Sequence, residues 1–195
     1  MTKKIVVIQG SPRENGSTRF LSSIMVQAIR DANVNISEID ATKLKFKFPG
    51  CTGCGKCHKS DFFTCSVDDE LAHTVATLID YDIITIVTPT YWMSYPSQLK
   101  MFIDRMSSLM RFDESGGIQT PLAGKVLAIL ATGNAGMENN MDLLKGQLNS
   151  MADMLSCQFY SCMFPNTPMD ISVLKNNQSA IEKAKEFGRL LSTPR

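Results

Sequence analysis

Two hydrophobic rhythms alternate along the chain. Ile5-Val6-Val7-Ile8 is a continuous β-branched run closed by Gly10-Ser11-Pro12, the pattern of a strand buried on both faces. Phe20, Leu21, Ile24, Met25, Ala28 and Ile29 then recur at helical spacing on one face, with Ser17 or Thr18 as the expected N-cap. The same alternation returns four more times. Val34–Ile39 reads as a weaker strand, Glu70–Tyr81 as a helix, and Ile83–Val87 as a second fully buried strand. Leu99, Phe102, Ile103 and Met106 mark a helix, Val126–Ala131 a strand, and Met141, Leu144, Leu148 and Met151 another helix. Cys157–Met163 predicts the last strand and Ser179–Leu191 the last helix.

Regular strand–helix alternation with short connections predicts an α/β fold, a three-layer sandwich around a five-stranded parallel sheet with right-handed crossovers. Five strands suit the flavodoxin-like order 2-1-3-4-5. Residues 1–195 then form a single domain, of ordinary size for its length. One segment breaks the rhythm: Ala41–Val67 has neither period and contains four of the six cysteines, so it reads as an insertion.

Composition narrows the function. Twenty Lys+Arg against 19 Asp+Glu leave a net charge of +1, so no chain-wide field favours nucleic acid or an acidic membrane. Apolar runs are too short to span a bilayer, and the N-terminal run lacks the long apolar region of a signal peptide. A cytoplasmic protein acting on a small molecule is the expectation. In a reducing compartment the cysteines read as ligands, redox groups or buried small hydrophobes rather than structural disulfides.

In doubly wound sheets the ligand lies beyond the carboxyl ends of the strands, so the loops after the first, third and fourth strands hold the candidate chemistry. Gly10-Ser11-Pro12-Arg13-Glu14-Asn15-Gly16-Ser17-Thr18 joins a buried strand to a helix N-terminus. Backbone N–H groups, hydroxyls and Arg13 there can cradle a phosphate. It is neither a Walker A loop nor a G-x-G-x-x-G turn. After the third strand, Pro89-Thr90-Tyr91-Trp92-Met93-Ser94-Tyr95-Pro96 brings two tyrosines and the only Trp to a position where they can flank a planar ring. Thr132-Gly133-Asn134-Ala135-Gly136 follows the fourth strand, with two glycines that permit close backbone approach.

Gly-Ser-Pro-Arg with Asn-Gly-Ser-Thr, then Pro-x-Tyr and Tyr95–Arg105, resembles the NADPH-dependent FMN reductases and iron–sulfur flavoproteins, which have the flavodoxin-like fold. The resemblance implies FMN as cofactor. Ser11, Arg13, Asn15, Ser17 and Thr18 would surround its 5′-phosphate, and Pro89, Thr90, Tyr91, Trp92, Met93, Thr132, Gly133, Asn134 and Gly136 would border the isoalloxazine ring. It also implies NAD(P)H or ferredoxin as electron donor, a small-molecule acceptor such as a quinone or oxygen, and a homo-oligomer, dimer or tetramer.

Cys51, Cys54, Cys57 and Cys65 stand in the pattern C-x2-C-x2-C-x7-C. Four thiolates on one glycine-containing loop suit a 4Fe–4S cluster, although the final spacing differs from that of bacterial ferredoxins. Zinc also accepts four thiolates, and redox-active thiols without metal are the third chemistry the spacing allows. The family resemblance supports the cluster, since iron–sulfur flavoproteins carry a compact cysteine set in this position. His58 and His73 read as non-ligands, Asp68 and Asp69 as helix caps, and Cys157 and Cys162 as buried bystanders. Leading reading: an FMN-dependent oxidoreductase carrying a cluster. The rivals are an NAD(P)H-dependent FMN or quinone reductase without one, a flavodoxin-like electron carrier without turnover, and a zinc-knuckle module.

Overall fold

The structure is a computed structural model that describes residues 3–193. Five strands form one parallel sheet: β1 (Lys4–Gln9), β2 (Asn35–Asp40), β3 (Ile83–Pro89), β6 (Val126–Thr132) and β7 (Gln158–Phe164), in the order β2-β1-β3-β6-β7. All pairings are parallel, with Ile5 opposite both Ile36 and Ile83 and Ile83 opposite Val126. That is the flavodoxin order 2-1-3-4-5 expected from the alternation.

The three central strands are apolar and buried on both faces because helices cover each side. On one face Val6, Ile8, Ile84, Ile86, Leu127 and Ile129 meet α2 (Glu70–Ala76), α3 (Ser97–Arg105) and α4 (Asp142–Met154) through Leu71, Val75, Leu99, Phe102, Leu144 and Leu148. On the other, Ile5, Val7, Val87, Ala128 and Leu130 meet α1 (Ser17–Asp31) and α6 (Gln178–Ser192) through Leu21, Met25, Ile29, Ala184, Phe187 and Leu191. A Cβ at Gly188 would stand 2.5 Å from the Met25 carbonyl oxygen, so glycine lets α6 close on α1. A short α5 (Ile171–Lys175) precedes α6.

Several expectations shift in detail. Gly16, not Ser17 or Thr18, is the N-cap of α1, and no side chain caps that end. Both hydroxyl residues lie inside the first turn because their oxygens have partners across the molecule. The helix expected over 70–81 is α-helical only to Ala76 and tightens to a 3-10 turn over Thr77–Asp80. Asp69 caps it, accepting the Ala72 N–H at 2.8 Å, whereas Asp68 pairs with His73 at 2.9 Å. The cysteine segment contains one short 3-10 turn, Lys56–Lys59. A two-residue-per-strand hairpin, β4 (Arg111–Phe112) with β5 (Ile118–Gln119), was not legible in the sequence. It packs on that segment: His58 Nδ1 lies 3.0 Å from the Met110 carbonyl, and the Arg111 guanidinium sits over the Phe63 ring at 4.1 Å.

Candidate functional site

A cavity of about 550 Å³ opens beyond the carboxyl ends of the sheet. It gathers the three predicted loops: Ser11, Arg13, Ser17 and Thr18 from the first, Pro89, Thr90, Tyr91 and Trp92 from the second, and Thr132, Gly133 and Asn134 from the third. Asn15, Met93 and Gly136 do not line it. Thr167, Pro168 and Met169, which follow β7, line it as well, together with Gly16, Ala135 and Asn140. Their signal was the turn chemistry of Pro165-Asn166-Thr167-Pro168 at the carboxyl end of the fifth strand.

One end of the cavity suits an anion. The first N–H groups of a helix have no intrahelical acceptor, and Gly16 offers α1 no side-chain oxygen. Arg13 makes no ion pair among the described residues, so its charge is uncompensated beside that helix end. Arg19 shapes the loop from behind, donating to the Ser11 carbonyl at 2.9 Å and to Asp40 at 2.8 Å. Burial pushes the Asp40 carboxyl up, but hydrogen bonds from Thr42 and Arg19 outweigh it and hold it below the ordinary range. The Ser17 hydroxyl donates to the Pro168 carbonyl at 2.8 Å, and the Thr18 and Thr132 hydroxyls meet at 2.7 Å. Those two bonds tie the α1 end to the loop after β7 and to the carboxyl end of β6.

The other end suits a flat ring. Thr90 N–H donates to the Thr132 carbonyl at 2.7 Å, while the buried Thr90 hydroxyl has no hydrogen-bond partner among the described residues. Gly133 leaves room for the Met141 side chain, since a Cβ there would lie 2.8 Å from Met141 Sδ. Nothing crowds Gly136 in the same way. Tyr91 and Ser94 exchange both backbone hydrogen bonds, at 2.9 and 3.0 Å, and close a two-residue turn with Trp92 at φ +47° and Met93 at φ +58°. Such a turn usually takes Asn-Gly, so two large residues here are backbone strain spent at the cavity mouth. Trp92 is 93% exposed on that rim, whereas Tyr95 turns inward and burial pushes its hydroxyl up to about 12.

The uncapped helix end, the free arginine and the orphaned Thr90 hydroxyl fit a phosphate joined to a planar, hydrogen-bonding ring. FMN has that chemistry.

The cysteine loop lies beyond α3. Cys51 and Cys54 are exposed, Cys65 is half-buried and Cys57 is buried. Among the described residues no three His, Cys, Asp or Glu side chains converge as a metal site. Sulfur donors are nevertheless provided for. Gly53 N–H and the Ser107 hydroxyl donate to Cys51 at 3.4 and 3.5 Å, and Val67 N–H donates to Cys65 at 3.5 Å. The Lys56 N–H, with the Ser66 and Thr52 hydroxyls, lowers the exposed Cys54 thiol to about 7. Burial pushes Cys57 up, and the neighbouring Cys65, Cys51 and Cys54 push it further, so the four thiols share one electrostatic neighbourhood. Burial, against the opposing charges of Lys125 and Lys183, pushes Cys157 and Cys162 up to about 11, the direction of a protonated, unreactive thiol. The loop's donor set fits thiolate ligation in chemistry, and ligation requires its thiols to gather.

Topology and cavity together define a flavodoxin-like α/β protein with a cavity beyond the carboxyl ends of its strands, at the topological switch point. The sequence profile of NADPH-dependent FMN reductase matches residues 3–166, and the chain belongs to that family of flavin-dependent oxidoreductases. It is similar to an iron-sulfur flavoprotein of Methanosarcina thermophila, 27% identical over 141 residues that cover 71% of this chain and 69% of that one. An iron-sulfur flavoprotein of Archaeoglobus fulgidus is 26% identical over 103 residues, 53% of this chain and 45% of the relative, so the chain spans under half of that protein. An FMN-dependent NADH-azoreductase from Bacillus anthracis, solved in complex with FMN, shares the fold at a TM-score of 0.75 and 14% identity, over 98% of this chain and all of that one (100%). Among the described residues no helix is long and apolar enough to cross a membrane.

Proposed function

We propose that the chain binds FMN in this cavity and moves electrons from NAD(P)H or a reduced ferredoxin to a small acceptor, with an iron–sulfur cluster on its cysteine loop. The carrying observation is the uncapped α1 terminus and free Arg13 at one end of a cavity whose other end is bordered by Thr90, Trp92 and Gly133. FMN, when bound, supplies one- and two-electron chemistry, and a cluster passes electrons singly. The chain's own work is binding and orientation. Arg13 and the α1 N–H groups neutralise the phosphate, the Thr90 hydroxyl gives the ring edge a partner, and the 91–94 turn borders one face. No side-chain acid or base is assigned. Cys51, Cys54, Cys57 and Cys65 would hold the cluster, a reading supported by the sulfur-directed donors and by the names of the archaeal relatives. Exposed Phe46, Phe48, Phe62 and Phe112 around the loop support a homo-oligomer, dimer or tetramer, that covers them.

Iron, sulfide and flavin analysis of anaerobically reconstituted protein, with steady-state turnover on NADH, NADPH and reduced ferredoxin, tests this. The expected result is about four irons and one FMN per chain, as a four-thiolate cluster requires. Iron is lost in Cys54→Ala and kept in Cys157→Ala, and FMN survives in both. Zinc in place of iron makes the loop a structural staple. A metal-free wild type with normal NAD(P)H turnover makes the protein a simple flavin reductase.

A further inference from the structure

Arg105 ends α3, where a solvent-facing side chain complementing the helix dipole is the ordinary outcome. Here it is instead 1% exposed, the largest fully buried side chain among the described residues. Every guanidinium nitrogen is engaged. Nε donates to the Gly50 carbonyl at 3.0 Å and Nη2 to the Phe48 carbonyl at 3.1 Å. Nη1 and Nη2 reach the two Asp69 oxygens at 3.2 Å each, and Nη1 also points at Cys65 Sγ at 3.4 Å.

These partners bracket the thiols. Phe48 and Gly50 immediately precede Cys51, Cys65 is the last thiol of the set, and Asp69 begins the helix that follows. Gly50, at φ +70°, lies flat on α3, where a Cβ would come within 3.3 Å of the Asp104 carboxylate. Ser107, two residues beyond Arg105, donates to Cys51. The Asp69 carboxylate in turn accepts the Lys47 N–H at 3.0 Å, so the entering strand of the loop is fixed from both sides. Only a planar fork with five donors can satisfy two carbonyls, a bidentate carboxylate and a sulfur at once.

We propose that Arg105 is the positioning residue of the cysteine loop: it clamps the chain on both sides of the four thiols and holds Cys65 against α3. This deepens the cluster reading without requiring it, because the clamp exists in the thiol form. Since α3 starts directly after the Tyr91–Tyr95 loop, the clamp also fixes the thiols relative to the cavity rim on one rigid helix, about 13 Å long at 1.5 Å per residue.

The test is timed alkylation of the full-length reduced protein by iodoacetamide, read cysteine by cysteine by mass spectrometry, with and without chelator, in wild type and Arg105→Lys. Lysine keeps the charge beside Asp69 but cannot serve all the acceptors. In chelator, Cys65 is expected to react faster by about tenfold or more in Arg105→Lys, from the lost charge-assisted bonds, while Cys157 and Cys162 keep their wild-type rates. A wild-type Cys65 rate in the folded variant overturns the proposal. If Cys157 and Cys162 also open, wild-type hydrogen exchange decides: the Lys47 amide exchanges as slowly as the amides of α3 if the clamp holds, and at loop rates if it does not. Protection of wild-type thiols that vanishes with chelator reports the metal separately, so the two readings fail independently.

Discussion

Replacing Arg105 by Met should destabilise the protein by about 3–5 kcal/mol, the usual cost of removing one partner of a buried ion pair. Asp69 is then left nearly enclosed without its cation, and the Phe48 and Gly50 carbonyls lose their donors. In a domain of this size that is roughly 10 °C in Tm, measurable by thermal or urea denaturation. The pH dependence has a definite sign. Burial pushes the Asp69 carboxyl up, but the Lys47 and Ala72 N–H groups and the Arg105 guanidinium outweigh it, so its folded pKa lies below the ordinary value. Its stabilisation is complete above the unfolded pKa of about 3.9 and is lost as pH falls through the lower folded value. The gap between wild type and Arg105→Met should therefore narrow over that acid range. A loss smaller than about 1 kcal/mol at neutral pH would mean the pair is weakly coupled to folding.

Ser17→Asp is expected to weaken FMN binding by about 100-fold or more while leaving the fold intact, because it sets a carboxylate beside the proposed phosphate in a partly desolvated pocket. Ser17 is the first residue of α1 and lines the cavity. Aspartate is well tolerated in a first helical turn, so the loss should appear in affinity and not in stability. Ser17→Ala is the control. It forfeits the bond to the Pro168 carbonyl, about 0.5–1.5 kcal/mol, without adding charge, and should retain most of the affinity. Equal FMN affinity in Ser17→Asp and wild type, by calorimetry, would place the phosphate elsewhere.

Most of the sheet was legible because its central strands are buried on both faces and carry unbroken apolar runs, as in Ile5–Ile8 and Ile83–Val87. The hairpin β4–β5 was not, since two residues per strand carry no period. The helix caps were legible where a side chain does the work, at Asp69, and misread at α1, where the hydroxyls that resemble caps bond to Pro168 and Thr132 instead. Cavity walls could be found from strand ends alone for three loops. Thr167, Pro168 and Met169 escaped because their one signal is turn chemistry at a strand end, which marks a loop but not a cavity wall, and they act by position: the Thr167 N–H donates to the Gly133 carbonyl at 2.8 Å. The role of Arg105 lay beyond local pattern, because its acceptors are main-chain carbonyls and an aspartate far away in the chain.

The central claim is that FMN occupies the cavity between the α1 terminus and the Trp92 rim. Trp92 is the only tryptophan in the chain and is 93% exposed, so its emission is an unmixed report from that rim. Titrating flavin-free protein with FMN while following tryptophan fluorescence is the most direct measurement. The account predicts quenching that saturates at one FMN per chain, with the break point shifted to much higher FMN in Ser17→Asp. Stoichiometric FMN binding that leaves Trp92 emission unchanged, or no binding at all, would contradict it.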